Sequence, residues 1–135
     1  ATDFASKELI CAKGVLVTPH LGASTPESED NCARMAAREL MDYLENGNIR
    51  NSVNMPAVSM PREGTRICIL HKNVPNTISL FSGAAAKEGL NIENMSSKSK
   101  KDYAYTILDV TGDVTEQTVA AISSLGDVTR VRVIK

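Results

Sequence analysis

Residues Thr65 to Lys135 constrain the fold more than any other part of the chain, because their hydrophobic period keeps switching between strand and helix values. Arg66 to His71 is apolar and β-prone. Pro75 then opens a helix in which Ile78, Phe81 and Ala85 share a face, and Gly89 stops it in the left-handed conformation that glycine adopts without steric cost. Leu90 to Ser97 reads as a weaker strand and Ser97 to Asp102 as a polar hairpin turn, after which Tyr103 to Val110 alternates. Thr115-x-x-Thr118 starts a second helix through Val119, Ile122 and Leu125, stopped by Gly126, and Val128 to Ile134 closes as a strand. The order strand, helix, strand, strand, helix, strand predicts an α+β, ferredoxin-like βαββαβ sandwich. Both helices are expected on one face of a four-stranded antiparallel sheet, with the other face left to solvent or a partner.

The first part of the chain is organised differently. Val15-Leu16-Val17 reads as a strand, and Thr18 to Ala23 as a turn containing His20. Pro26 suits the first turn of a helix, Ser24 or Thr25 can cap it, and Ser24-x-x-Glu27 fits a capping box. Glu27, Glu29 and Asp30 complement the positive end of the helix dipole. Cys32, Met35, Ala36, Leu40, Tyr43 and Leu44 follow one helical face until Gly47, predicting a helix from about Pro26 to Asn46. Its apolar face is expected to fold back on the following domain or to bury against another copy. Pro56, Pro61 and their Ser, Asn and Gly neighbours read as a linker. The expected division is 1–55 for a strand and long helix of Rossmann-type α/β character, 56–64 for the linker and 65–135 for the sandwich.

Composition removes several function classes. With 135 residues there is room for about one domain and a partial second. The 15 Lys and Arg balance 16 Asp and Glu, and aromatics are scarce, so no nucleic-acid surface is expected. Cys11, Cys32 and Cys68 have no Cys-x-x-Cys spacing and read as free thiols, with no metal site expected. No apolar run approaches the roughly 18–20 residues of a membrane span, and Ala1 opens without the basic start of a signal peptide. The expected location is the cytoplasm.

The residues that carry chemistry fall in two places. His20 ends the apolar approach and precedes a turn of small residues, where a ligand could come close to the backbone. Its imidazole could exchange a proton with a hydroxyl or a carbonyl near neutral pH. From spacing alone, a histidine that satisfies local hydrogen bonds is the commoner outcome. The second place is His71-Lys72-Asn73-Val74-Pro75-Asn76, where a helix N-terminus could receive a carboxylate. There too, His71 and Asn73 could simply cap the helix and stabilise a dimer.

The ordered string Thr18-Pro19-His20-Leu21-Gly22-Ala23-Ser24-Thr25, with Glu27, Asn31, Glu45-Asn46-Gly47 and Val53-Asn54-Met55-Pro56, resembles the D-isomer-specific 2-hydroxyacid dehydrogenases over roughly residues 1 to 56. Within that family it is similar to the branch that oxidises 3-phosphoglycerate in serine biosynthesis. The resemblance implies NAD as the parent's cofactor and His20 as its general acid/base. Asp3, His20 and the Leu21-Gly22-Ala23 backbone would lie near the nicotinamide, and Glu8 is the candidate for the carboxylate that orients the histidine. No Gly-x-Gly-x-x-Gly occurs in the 135 residues, so this chain by itself is expected to bind NAD poorly and to be inactive.

Residues 65–135 resemble an ACT domain, a small amino-acid-sensing module. His71, Asn73 and, from Gly89-Leu90-Asn91-Ile92, Asn91 match the segments with which such tails hold L-serine. Asn76 stands where glycine is usual in those tails, and asparagine tolerates left-handed geometry better than most residues. The resemblance implies a C-terminal regulatory portion of the dehydrogenase, homo-oligomeric through its ACT domains. The alternative from the same residues is a free-standing amino-acid-binding or dimerisation module with no catalytic role.

Overall fold

The computed structural model describes all 135 residues, which form two compact units, Ala1–Arg38 and Glu39–Lys135. In the first unit, a short helix α1 (Lys7–Ile10) is capped by Ser6, whose side chain accepts from the Leu9 N–H. Helix α2 (Pro26–Asn46) begins here and has the boundaries its proline and glycine dictate. Its N-cap is Thr25, whose Oγ1 accepts the Ser28 N–H at 3.2 Å. The Ser24–Glu27 capping box does not form, because the Ser24 N–H is turned back onto the Leu21 carbonyl. The strand expected at Val15–Val17 is also not formed. Only an isolated parallel bridge joins Thr2 to Val17, since a strand of Rossmann type needs neighbours that this unit does not supply.

The second unit holds the sandwich. Strand β1 (Thr65–Lys72), helix α3 (Thr77–Lys87), strands β2 (Asn91–Lys100) and β3 (Tyr103–Thr111), helix α4 (Glu116–Ser123) and strand β4 (Val128–Ile134) follow in order. The antiparallel sheet runs β2-β3-β1-β4, the ferredoxin-like arrangement with β2 and β4 at the edges. The α4 N-terminus carries a capping box between Thr115 and Thr118. The β2–β3 hairpin is tighter than expected. Ser97 to Lys100 stay in the ladder opposite Thr106 to Tyr103, and only Lys101 and Asp102 turn. Polar side chains at an edge strand cost the ladder nothing, because Lys98, Ser99 and Lys100 stay exposed while the backbone pairs.

One core lies between the sheet and its two helices, built on Ile67, Ile69, Phe81, Ala85, Leu108, Val110 and Ile122. The opposite face, expected to be left to solvent or a partner, is covered by the chain itself. Cys68, Tyr105 and Ile107 are covered there by Val58, with Tyr43, Ile49 and Met60 packed alongside. The stretch after α2 supplies this cover, and Ile49 and Val58 exchange two backbone hydrogen bonds at 2.8 and 3.0 Å. Hence β3 is buried from Ala104 to Val110 on both faces. Arg132 caps the end of α2, donating to the Tyr43 and Leu44 carbonyls with its guanidinium 4.5 Å above the Tyr43 ring. The other apolar side chains of α2 remain exposed, Leu40 at 63% and Leu44 at 60%.

Candidate functional site

The residues singled out around His20 sit in the first unit. His20 has φ +55, a left-handed conformation that few residues other than glycine adopt, and its Nδ1 lies 3.5 Å from Asp3 Oδ2. Thr18 donates its hydroxyl to the other Asp3 oxygen, and the Phe4 ring lies 4.8 Å from the imidazole. Asp3 is therefore the carboxylate beside the histidine. Glu8 shares no ion pair or hydrogen bond with His20; the Ser6 hydroxyl and its own N–H hold its carboxyl below the ordinary range. Leu21 is exposed, and a Cβ built on Gly22 would meet nothing within 4 Å. The His20 and Asp3 side chains are themselves open to solvent, at 63% and 50% exposure.

In the second unit, the chain does enclose a site. A cavity of about 410 Å³ opens between the α3 N-terminus and the facing ends of β1 and β2, with His71, Asn73, Asn76, Ser97, Lys98 and Ser99 among its lining. Asn76 precedes α3 at φ +70, so the position takes up the left-handed geometry that glycine would, and its side chain makes no capping bond. The Ile78 and Ser79 N–H groups, in the exposed part of the first turn of α3, make no hydrogen bond within the chain. Asn73 is pinned to the β2–β3 turn: its N–H donates to the Asp102 carbonyl at 2.8 Å and its Nδ2 to the Lys101 carbonyl at 3.1 Å. Its amide oxygen is left free to accept. Exposed donors of a helix start, an amide acceptor and the Lys98 ammonium together suit a small zwitterion.

His71 is 1% exposed and stacks edge-on against Phe81. Its Nδ1 lies 2.8 Å from the Lys72 carbonyl and its Nε2 2.9 Å from Thr106 Oγ1, which in turn lies 2.7 Å from Ser97 Oγ. Burial holds the imidazole below its ordinary pKa. Sequence reasoning passed over Ser97 and Thr106. Their signal is a long-range register, Ser97 opposite Thr106 with His71 one diagonal step away, and no local pattern carries that. Asn91 is elsewhere: it starts β2, at the far end from Lys98, and donates to Glu93.

No three His, Cys, Asp or Glu side chains converge in a way that could hold a metal ion. Burial raises the pKa of the Cys68 thiol, whereas Cys11 and Cys32 are exposed. In the native protein, two thiols are expected to react rapidly with Ellman's reagent and the third only after denaturant is added. Three thiols reacting at one rate would contradict the burial of Cys68.

No family model matches the chain. Against curated proteins it is 31% identical over 123 residues to D-3-phosphoglycerate dehydrogenase of Escherichia coli (strain K12), covering 89% of this chain. The Haemophilus influenzae enzyme of the same name is 30% identical over 122 residues, and D-3-phosphoglycerate dehydrogenase 2 of Saccharomyces cerevisiae is 32% identical over 111. Its homologues are D-3-phosphoglycerate dehydrogenases. The chain spans 30% of the length of the two bacterial relatives and 23% of the yeast one, so the match to D-3-phosphoglycerate dehydrogenase covers a portion of those proteins. Among solved structures, the ACT domain from the GTP pyrophosphokinase of Chlorobium tepidum aligns with 52% of this chain and 95% of its own, at 15% identity and a TM-score of 0.46. No helix of the chain is long and apolar enough to cross a membrane.

Proposed function

We propose that the chain is the C-terminal regulatory portion of an NAD-dependent D-3-phosphoglycerate dehydrogenase of the cytoplasm, and that its βαββαβ unit is an ACT domain sensing L-serine. The observation that carries this reading is the cavity at the α3 N-terminus. It places His71 and Asn73 together beside unpaired helix N–H groups, in a chain whose relatives bear that enzyme's name. The ligand's carboxylate would lie on the Ile78 and Ser79 amides, with Lys98 as counter-charge. In the parent, His20 would exchange the 2-hydroxyl proton of 3-phosphoglycerate, with Asp3 holding its Nδ1. The division into 1–55, 56–64 and 65–135 belongs to the same proposal.

Asn91 enters through a second copy. Because β2 is an edge strand, two copies can pair along it in antiparallel fashion and extend the sheet. The start of one β2 then lies beside the end of the other, and each Asn91 comes next to its partner's Ser97–Ser99 rim. Serine held at that joint would favour whichever arrangement of the attached catalytic domains binds it better.

Titration of the 135-residue chain with millimolar L-serine in a calorimeter tests the sensor: saturable heat is expected, and its absence overturns the reading. The free-standing module is separated by the coding sequence upstream of Ala1. A dinucleotide-binding dehydrogenase domain is expected there, and an unrelated or absent reading frame would favour the module.

A further inference from the structure

Hydrogen-bond direction in the relay follows from chemistry alone. The Lys72 carbonyl can only accept, so His71 Nδ1 carries the proton that is shared with it. In the neutral imidazole Nε2 is then an acceptor, and the Thr106 hydroxyl spends its one proton there. Thr106 Oγ1 can therefore only accept from Ser97, which spends its own proton in turn. Ser97 is half-buried and lines the cavity. Adding a proton to His71 reverses every step: Nε2 donates to Thr106, Thr106 donates to Ser97, and the Ser97 proton turns outward.

We propose that the Ser97–Thr106–His71 chain is a proton-sensitive relay that makes Ser97 an obligate acceptor in the cavity, where it takes the ammonium of a zwitterionic ligand; protonation of His71 commits one Ser97 lone pair to Thr106 and turns the Ser97 proton toward that ammonium, weakening the contact. The ligand half rests on the serine-sensing reading above. The sign is set by burial, which keeps His71 neutral to lower pH than an exposed histidine. Affinity is thus full above the ordinary histidine range and falls as pH drops through it and below. The charged groups around His71 are few. Asp127, in the turn before β4, faces it and pairs with Lys72 at 3.9 Å, and Lys98 approaches from β2. Helix α3 contributes only Lys87, in its last turn.

Two measurements test the relay. The chain has only two histidines, so long-range ¹H–¹⁵N spectra of the ligand-free, ¹⁵N-labelled protein resolve both. At neutral pH His71 is expected as the Nδ1–H tautomer; the Nε2–H tautomer or an imidazolium overturns the relay whatever binds. Calorimetric titration with L-serine is expected to show about tenfold weakening between about pH 7.5 and a pH at which the same spectra show His71 protonated, the loss of one hydrogen bond to a charged group. Thr106→Val, which frees Ser97, should bind serine with little dependence on pH, and Thr106→Ser should restore it. Serine bound equally well at both pH values would overturn the relay and leave the sensor standing. No heat at either pH would overturn the sensor and the ligand half together, with the tautomer still deciding the relay itself.

Discussion

Asp109→Ala is expected to destabilise the second unit by about 3–5 kcal/mol, the cost of leaving one buried charge without its partner. Arg66 and Asp109 both have 0% side-chain exposure and face each other across the β1–β3 ladder. The pair is bidentate, Nε to Oδ1 at 2.6 Å and Nη2 to Oδ2 at 2.7 Å. Arg66 also donates to the Asn46 carbonyl at 2.7 Å, the Met60 carbonyl at 3.0 Å and the Pro61 carbonyl at 2.7 Å. Asp109 accepts the Glu63 N–H at 3.1 Å. One guanidinium thus ties the end of α2 and the 60–63 stretch to the middle of the sheet. Denaturant titration followed by circular dichroism should show the midpoint falling steeply. A double variant, Arg66→Met with Asp109→Leu, should recover part of that loss. It should not recover all, because the Asn46, Met60 and Pro61 carbonyls then lose their donor. A loss below about 1 kcal/mol for Asp109→Ala would mean that water reaches the pair and would contradict its burial.

Gly47→Ala is expected to cost about 2–5 kcal/mol, from two sources that add. Gly47 ends α2 at φ +71, where a residue with a Cβ gives up about 1–2 kcal/mol. A Cβ there would also collide with Cys68 Sγ and press on Ile134 Cδ1 at 3.3 Å, and overpacking of this kind costs about 1–3 kcal/mol. The Gly47 carbonyl accepts the buried Tyr105 hydroxyl at 2.8 Å, so the backbone cannot move away without breaking that bond. Thermal melting is the direct measurement. Gly89→Ala makes a useful control, since it lies in the same unit and also has positive φ, at +72, yet its Cβ would meet nothing within 4 Å. The difference between the two melting shifts isolates the collision. Equal shifts would show that backbone strain alone limits Gly47.

Much of this was legible in the residues themselves. Pro26 and Gly47 bracket α2, and Gly89 sits at φ +72 after α3. The order of six elements leads directly to the β2-β3-β1-β4 sheet, since short connections leave few ways to arrange them. Asn76 could be read as fit for a left-handed turn because that preference is local. His71 and Asn73 fall in one cavity because they lie two positions apart at the end of a strand.

Other features were hidden by the kind of information they need. Residues 56–64 read as a linker by composition, yet Val58 within them is fully buried, because the second face of β1 and β3 is too apolar to stay wet. Charges on a strand usually point to water, so nothing near Arg66 or Asp109 in the chain predicts their pairing. They are 43 residues apart and meet only once the β1–β3 register is set.

The chain alone determined the elements, their order and the left-handed corners, all of which depend on backbone preferences over a few neighbouring residues. Tertiary structure alone decided which face the 48–61 segment covers, that Arg66 finds Asp109, and that Ser97, Thr106 and His71 form one chain of hydrogen bonds. Those outcomes depend on the register of paired strands and on desolvation of groups distant in sequence, which come into existence only when the sheet closes.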